Sequence, residues 1–189
     1  MNLYLRLIYL VIASFFKPRI ADILSTASLN FRVLPNDLDL NGHMNNGRYL
    51  TIMDLGRLDF VLRLPGLARY VLKHQYIPVL SGAAMRYRLP LLPWQKYRTD
   101  MRVICWDDKW VYMEQRFVIT GGKKNGAVAA IGLLKGSFFS KAQRATMPID
   151  TLLQAVNWTH PSPPMPDYIA RWIETEDALR ADMAQGGAL

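Results

Sequence analysis

Residues 36 to 49, NDLDLNGHMNNGRY, separate two apolar runs of different period, so the chain is expected to pass from a strand into a helix at this point. Upstream, Ser28-Leu29-Asn30-Phe31-Arg32-Val33-Leu34 alternates apolar and polar residues and stops at Pro35, the pattern of a strand closed by a breaker. Downstream, Tyr49, Leu50, Met53, Leu55, Leu58, Phe60, Val61 and Leu62 recur at roughly helical spacing, with Asp54, Arg57 and Arg63 among the polar positions between them. This predicts an amphipathic helix with a buried face. Asn45 or Asn46 is the expected N-cap. Asp39 and Gly42 then lie in the connection feeding the helix N-terminus, where free backbone N–H groups and the positive end of the dipole collect. A carboxylate beside fixed donors suits acyl chemistry.

Beyond this helix, Leu64-Pro65-Gly66 punctuates the chain and Leu67 to Lys73 predicts a short helical piece. From Tyr76 the period changes to two. Strands are expected over 76–87, 97–106, 110–120 and 127–139, five in all with the first. In the third of these, Val111, Met113, Phe117 and Ile119 face one way and Tyr112, Glu114 and Arg116 the other, as in an antiparallel strand covered on one side. Residues 106–110 and 121–126 are the hairpin turns. The second, although rich in glycine and lysine, lacks the spacing of a phosphate loop and precedes a strand. Ser81-Gly82-Ala83-Ala84 marks a bulge or a place where a backbone or ligand comes close, which makes Ser81 and Gly82 candidate substrate contacts. The class is α+β.

The first sixteen residues are apolar except Asn2, Arg6 and Ser14, and Lys17, Pro18 and Arg19 follow at once. The run is shorter than the roughly 20 residues that span a bilayer, and it fits an interfacial helix or one packed on its own protein. Charge follows rather than precedes it, unlike a secretory signal, although Ser25-Thr26-Ala27 offers a weak cleavage pattern. Lys17 and Arg19 would keep the domain on the cytoplasmic side. After Phe139 a helix is expected over 149–158, a proline-rich linker over 161–166, a more polar helix over 167–183 and a frayed end from Ala184. The organisation is therefore an apolar N-terminal helix in 1–19, a domain in 28–140 and a helical extension in 141–189.

The 189 residues allow one domain with a sizeable core, and 51% hydrophobic with 20% charged residues place the chain among globular proteins. A formal charge of +8 favours anionic partners. The basic residues are scattered and no zinc-finger, helix-turn-helix or RRM signature accompanies them, so nucleic acid is not the expected partner. The single Cys105 excludes an internal disulfide, suits a reducing compartment and reads as a buried thiol in an apolar strand. His43, His74 and His160 are too dispersed for a metal site, and His74 and His160 read as surface or capping residues.

Asp37-x-Asp39-x-Asn41-Gly42-His43-x-Asn45-Asn46-x-x-Tyr49 resembles the acyl-CoA thioesterase signature of the 4-hydroxybenzoyl-CoA thioesterase-like branch of the hotdog fold, in which a curved antiparallel sheet wraps a central helix. The wider run, Arg32 to Pro35, Asp37 to Leu40, His43 to Asn46 and Arg48 to Leu50, with Trp106-Asp107-Asp108 and Arg116-Phe117-Val118, resembles thioesterase superfamily member six-like proteins. The similarity covers roughly residues 28–139. It implies hydrolysis of an acyl thioester, with Asp39 as nucleophile on the carbonyl or general base toward water and the Asn46 backbone N–H polarising the thioester oxygen. His43 either shapes the loop or also orients or protonates, and Gly42, Asn45 and Tyr49 are further substrate-site candidates. Asp37 and, without the resemblance, Asp39 also read as turn acids that accept from backbone.

The resemblance further implies coenzyme A as part of the substrate, or an acyl-carrier-protein thioester, no metal or redox cofactor, and a homodimer or dimer of dimers with the site between subunits. Arg86, Arg88, Lys96, Arg98, Arg102, Lys109, Lys123 and Lys124 are candidate cations for the phosphates of coenzyme A. The apolar segments favour a fatty acyl group and a membrane surface. Two rival readings are a non-catalytic acyl-CoA or lipid binder and a membrane-tethered interaction protein.

Overall fold

In the computed structural model, which describes residues 2–185, the strand gives way to the helix where the period changes. Strand β1 (Ala27–Arg32) runs into a single 3-10 turn at Pro35–Asp37, because proline fixes its own φ and removes a ladder donor. Helix α2 (Asn46–Arg63) begins at Asn46 with Asn45 as its N-cap, the Asn45 side chain accepting from Gly47 N–H at 2.9 Å. It ends at the Leu64-Pro65-Gly66 break, and α3 (Leu67–Lys73) follows.

The strands are β2 (Tyr76–Tyr87), β3 (Lys96–Trp106), β4 (Val111–Ile119), β5 (Val128–Ser140) and a short β6 (Ala145–Thr146). They form one antiparallel sheet in the order β1-β3-β4-β5-β2, with β6 on β5. This corrects the expected five strands to six. Two residues are too few to leave a period, and β6 forms because β5 continues to Ser140, beyond Gly136, where β4 stops pairing with it.

Helix α2 packs into the sheet through Tyr49, Ile52, Met53, Leu55 and Phe60, against Met101, Phe117 and Leu134 among others. Its buried face differs from the expected one: Leu50 is exposed, Leu58, Val61 and Leu62 are half-buried, and Ile52 is buried. Gln115, from the inward face of β4, ties the layers by donating to Met53 O at 2.9 Å in the middle of the helix.

Strand β4 is covered on both faces, which corrects the expected open side. Tyr112 and Cys105 lie under Ile169, Trp172 and Ile173 of α5 (Asp167–Gln185), which crosses the outer face of the sheet. The outward Glu114 is buried too, held by Arg102 and Arg116. Alternation reports that two faces differ; it does not report what a distant helix later covers. Helix α4 (Ile149–Ala155) joins the main core and is shorter than expected, since Asn157 turns left-handed at φ 55°.

Helix α1 (Asn2–Ser14) packs on α2 through Leu3, Leu7 and Leu10, with Ser14 buried on the same side. Its other face leaves Tyr4, Leu5, Ile8, Tyr9 and Ile12 exposed, and Phe15 and Phe16 after it likewise. Among the described residues no helix is long and apolar enough to cross a membrane. Lys17 pairs with the buried Asp59 at 3.2 Å, and Arg63 pairs with the same carboxylate at 2.7 Å. The expected fraying of the last residues lies mostly outside the described residues, and α5 itself continues to Gln185.

Candidate active site

The turn that carries Asp39 is closed by its own backbone. Asp39 N–H donates to His43 O at 2.9 Å, Gly42 N–H donates to Asp39 O at 3.1 Å, and Leu38 bridges Met44 across the base. Gly42 has φ 74°, a conformation that costs a residue with a Cβ, which is why this turn needs glycine. The Asp39 carboxylate accepts from Asn41 N–H at 2.8 Å through Oδ1, while Oδ2 faces His43 Nδ1 at 3.5 Å. Both side chains reach solvent, Asp39 at 19% exposure and His43 at 35%.

The turn leads directly into α2. Met44 N–H is anchored on Leu91 O at 2.8 Å and Asn45 N–H on Asp37 O at 2.8 Å. Asn46 is the first helical residue, so its N–H has no intrahelical acceptor, and the Gly47 N–H is already held by the Asn45 cap. Tyr87, at the end of β2, donates its hydroxyl to Asn46 O at 3.0 Å. Asp39, His43, Asn45 and Asn46 thus share one rigid strand-to-helix corner, with an acid at one end of the turn and the helix N-terminus at the other.

That rigidity has a buried electrostatic support. The Asp37 carboxylate, fully buried, is gripped by Arg6 of α1 at 2.6 Å and 3.1 Å, accepts from Leu34 N–H at 2.9 Å and lies 3.3 Å from Arg48 of α2. The expected backbone hydrogen bond of a turn acid is present, and two guanidinium groups compensate the burial. Sequence reading missed the Arg6 pairing. Its one signal was a lone charge at position 6 of an apolar run.

The remaining candidate contacts are placed differently. Tyr49 lies in the core, its ring edge-on to Tyr87 and Phe117, and burial pushes its pKa up to about 12 despite a hydrogen bond with the Leu91 backbone. It supports the corner from beneath. Ser81 is the bulge residue of β2, where the register steps from Leu80 to Gly82. Gly82 faces outward, against Glu176 of α5, which would collide with any Cβ there. About 17 Å of strand separates Gly82 from Tyr87, whose hydroxyl meets the corner at Asn46 O.

Of the candidate cations, Arg98 pairs with Asp100, Arg102 with Glu114, and Lys109 lies over the Trp110 ring. Arg86 and Arg88 stand exposed on either side of Tyr87. Cys105 is buried and its thiol is pushed up to about 11 by that burial and by the nearby Asp107, which leaves it a packing residue. His74 donates from Nδ1 to Tyr70 O at 2.9 Å at the end of α3, and His160 lies edge-on to Trp158. Among the described residues no group of three or more His, Cys, Asp or Glu is arranged to hold a metal ion.

Comparison with known proteins gives this corner its family. Residues 33–173 match the thioesterase-like superfamily. Protein THEM6 of Xenopus laevis is 31% identical over 184 residues, covering 95% of this chain and 84% of that protein. The crystal structure of YbaW, a probable thioesterase from Escherichia coli, superposes with a TM-score of 0.62 at 18% identity, over 68% of this chain and 95% of that one. A Staphylococcus aureus protein solved in complex with CoA superposes with a TM-score of 0.61 at 14% identity, over 79% of this chain and 94% of that one. The antiparallel sheet curled around α2 is the hotdog fold expected from the strand-loop-helix signature, and the chain belongs to the thioesterase-like superfamily, a family of thioester hydrolases built on that fold.

Proposed function

We propose that the protein hydrolyses acyl-CoA thioesters at the corner formed by Asp39, His43 and Asn46, releasing a free acid and coenzyme A. The observation that carries this reading is the Asp39 carboxylate, pinned through Oδ1 by Asn41 N–H in a turn that runs straight into the N-terminus of α2. Asp39 either attacks the thioester carbonyl or takes a proton from the attacking water. Charge developing on the carbonyl oxygen is met by the Asn46 N–H and the positive end of the helix dipole. His43, 3.5 Å from Oδ2, orients the carboxylate, and Gly42 and Asn45 shape the loop around the ester.

Several features support the substrate class. A structural neighbour was solved with CoA, and Arg86, on the strand that touches Asn46, and Arg88, just past its end, supply cations. Apolar surface on α1 and α2 favours a fatty acyl chain over a small polar acid. The exposed apolar face of α1 rests against a membrane surface, with the domain on the cytoplasmic side. Two copies associate through the open edge of β2, which removes unpaired backbone groups from both.

The test is thiol release from short, long and aromatic acyl-CoAs and from an acyl-carrier-protein ester, comparing wild type with Asp39→Asn. Loss of the base or nucleophile is expected to lower kcat by about 10²–10⁴ with the fold intact. An equal rate in the variant removes Asp39 from the mechanism. Saturable binding without turnover by wild type would establish the non-catalytic binder instead.

A further inference from the structure

Helix α5 crosses the outer face of the sheet strand by strand. Ile169 packs with Cys105 of β3 and Tyr112 of β4. Two turns later Glu176 reaches Lys135 of β5 at 3.0 Å and comes up against Gly82 of β2. Strand β2 is the end of the sheet, so the helix arrives at the edge with Glu176, yet it continues to Gln185. From Asp177 to Ala184 every residue is exposed.

The side-chain pattern does not stop at the edge. Ile169, Trp172, Glu176, Leu179 and Met183 follow one another at intervals of three and four, which places them along one side of the helix. The first three face the sheet, while Leu179 and Met183, 59% and 79% exposed, carry the same side past it. At 1.5 Å of rise per residue they stand about 4.5 Å and about 10.5 Å beyond Glu176. Neighbouring strands lie about 4.8 Å apart, so these are the places of one further strand and then a second. The helix is also acidic, with five acidic residues against two arginines, in a chain whose net charge is +8. That contrast suits contact with another copy of the same basic chain.

We propose that the end of α5 is a clamp for a second copy of this chain: Leu179 and Met183 lie on the outer face of the partner's sheet when two β2 edges pair, and the partner's α5 makes the same contact in return. The inference rests on the pairing of β2 edges put forward above and adds a surface outside the strand ladder. Two-fold symmetry sets the two α5 helices antiparallel. Packed helices keep about 8–10 Å between axes, which a stagger of about three residues along the paired β2 strands supplies. Burial of the two side chains then stabilises the dimer beyond what backbone pairing alone gives.

The experiment is sedimentation of the full chain over a dilution series, wild type against Leu179→Glu/Met183→Glu, with the reaction of Cys105 toward an aromatic disulfide reagent read on the same samples. Cys105 is the only cysteine and lies under the seated part of α5, so it reports whether the helix stays on its own sheet. The variant is expected to raise the dissociation constant of the dimer by about tenfold or more, with Cys105 as slow to react as in wild type. Leu179→Met/Met183→Leu, which keeps the side apolar, should dimerise like wild type. A dimer whose dissociation the glutamates leave unchanged overturns the clamp and leaves the β2 pairing standing. Wild type that is a single chain at every concentration overturns both. If Cys105 reacts fast in the glutamate variant, hydrogen exchange of wild type decides. Amides of 177–185 should exchange slowly in the dimer and fast after dilution, and equal exchange overturns the clamp. Thiol release from acyl-CoAs on the same preparations reads the hydrolysis at Asp39 separately.

Discussion

Asp37 and Asp39 stand two residues apart, and the fold treats them in opposite ways. Asp37 is sealed beneath α1 between two arginines, a structural charge, whereas Asp39 keeps an oxygen toward His43 and solvent. Both were legible as turn acids, because Asp accepts from nearby N–H groups. What separated them was invisible locally: Arg6 lies 31 positions before its partner. Buried tyrosines carry the same lesson. Burial pushes the Tyr97 hydroxyl well above the usual tyrosine range, and its oxygen meets no hydrogen-bond partner among the described residues. Removing an unmatched buried hydroxyl relieves a desolvation cost, so Tyr97→Phe is expected to leave stability unchanged or raise it by about 1 kcal/mol, read from urea unfolding. A loss of stability larger than that would mean the hydroxyl has a partner.

At the scale of elements, α1 carries two apolar faces and spends only one of them on α2. Leu3, Leu7 and Leu10 meet the domain, while Phe16 just beyond the helix is 86% exposed and Tyr4, Leu5, Ile8, Tyr9 and Ile12 face outward with it. The packed-helix reading and the interfacial reading of the sequence are therefore compatible, since a helix held on its own protein can still present the opposite stripe to lipid. Tyrosine suits the boundary where one end is apolar and the other wet, and phenylalanine its apolar side. Wild type is expected to sediment with vesicles containing phosphatidylglycerol. An Ile8→Glu/Ile12→Glu variant should lose most of that binding yet hydrolyse a soluble short-chain ester at the wild-type rate. Wild type that stays in the supernatant at low salt would exclude a lipid surface as the occupant.

For the whole molecule, the sheet has two edge strands, the six-residue β1 beside β3 and the longer β2, twelve residues flanked on one side only, by β5. A long unpaired edge invites a second strand, and an antiparallel pairing of two β2 edges makes a two-fold dimer with one continuous sheet. Sedimentation equilibrium is expected to give twice the chain mass, falling toward one chain when Val79→Pro breaks the regular strand geometry of β2. A wild-type mass of a single chain would overturn the dimer. Sequence alone determined the order of the elements apart from β6, the break at Pro35, the α2 start at residues 45–46 and the membership of Asp39, Gly42, His43 and Asn46 in one corner, because turn chemistry and periodicity act over a few residues. Tertiary structure decided the rest: that α5 covers the outer sheet face and runs past its edge at β2, that Arg6 neutralises Asp37, that Tyr49 is core, and that Ser81 and Gly82 lie far along β2. Each of these depends on contacts between residues distant along the chain, which local pattern does not encode.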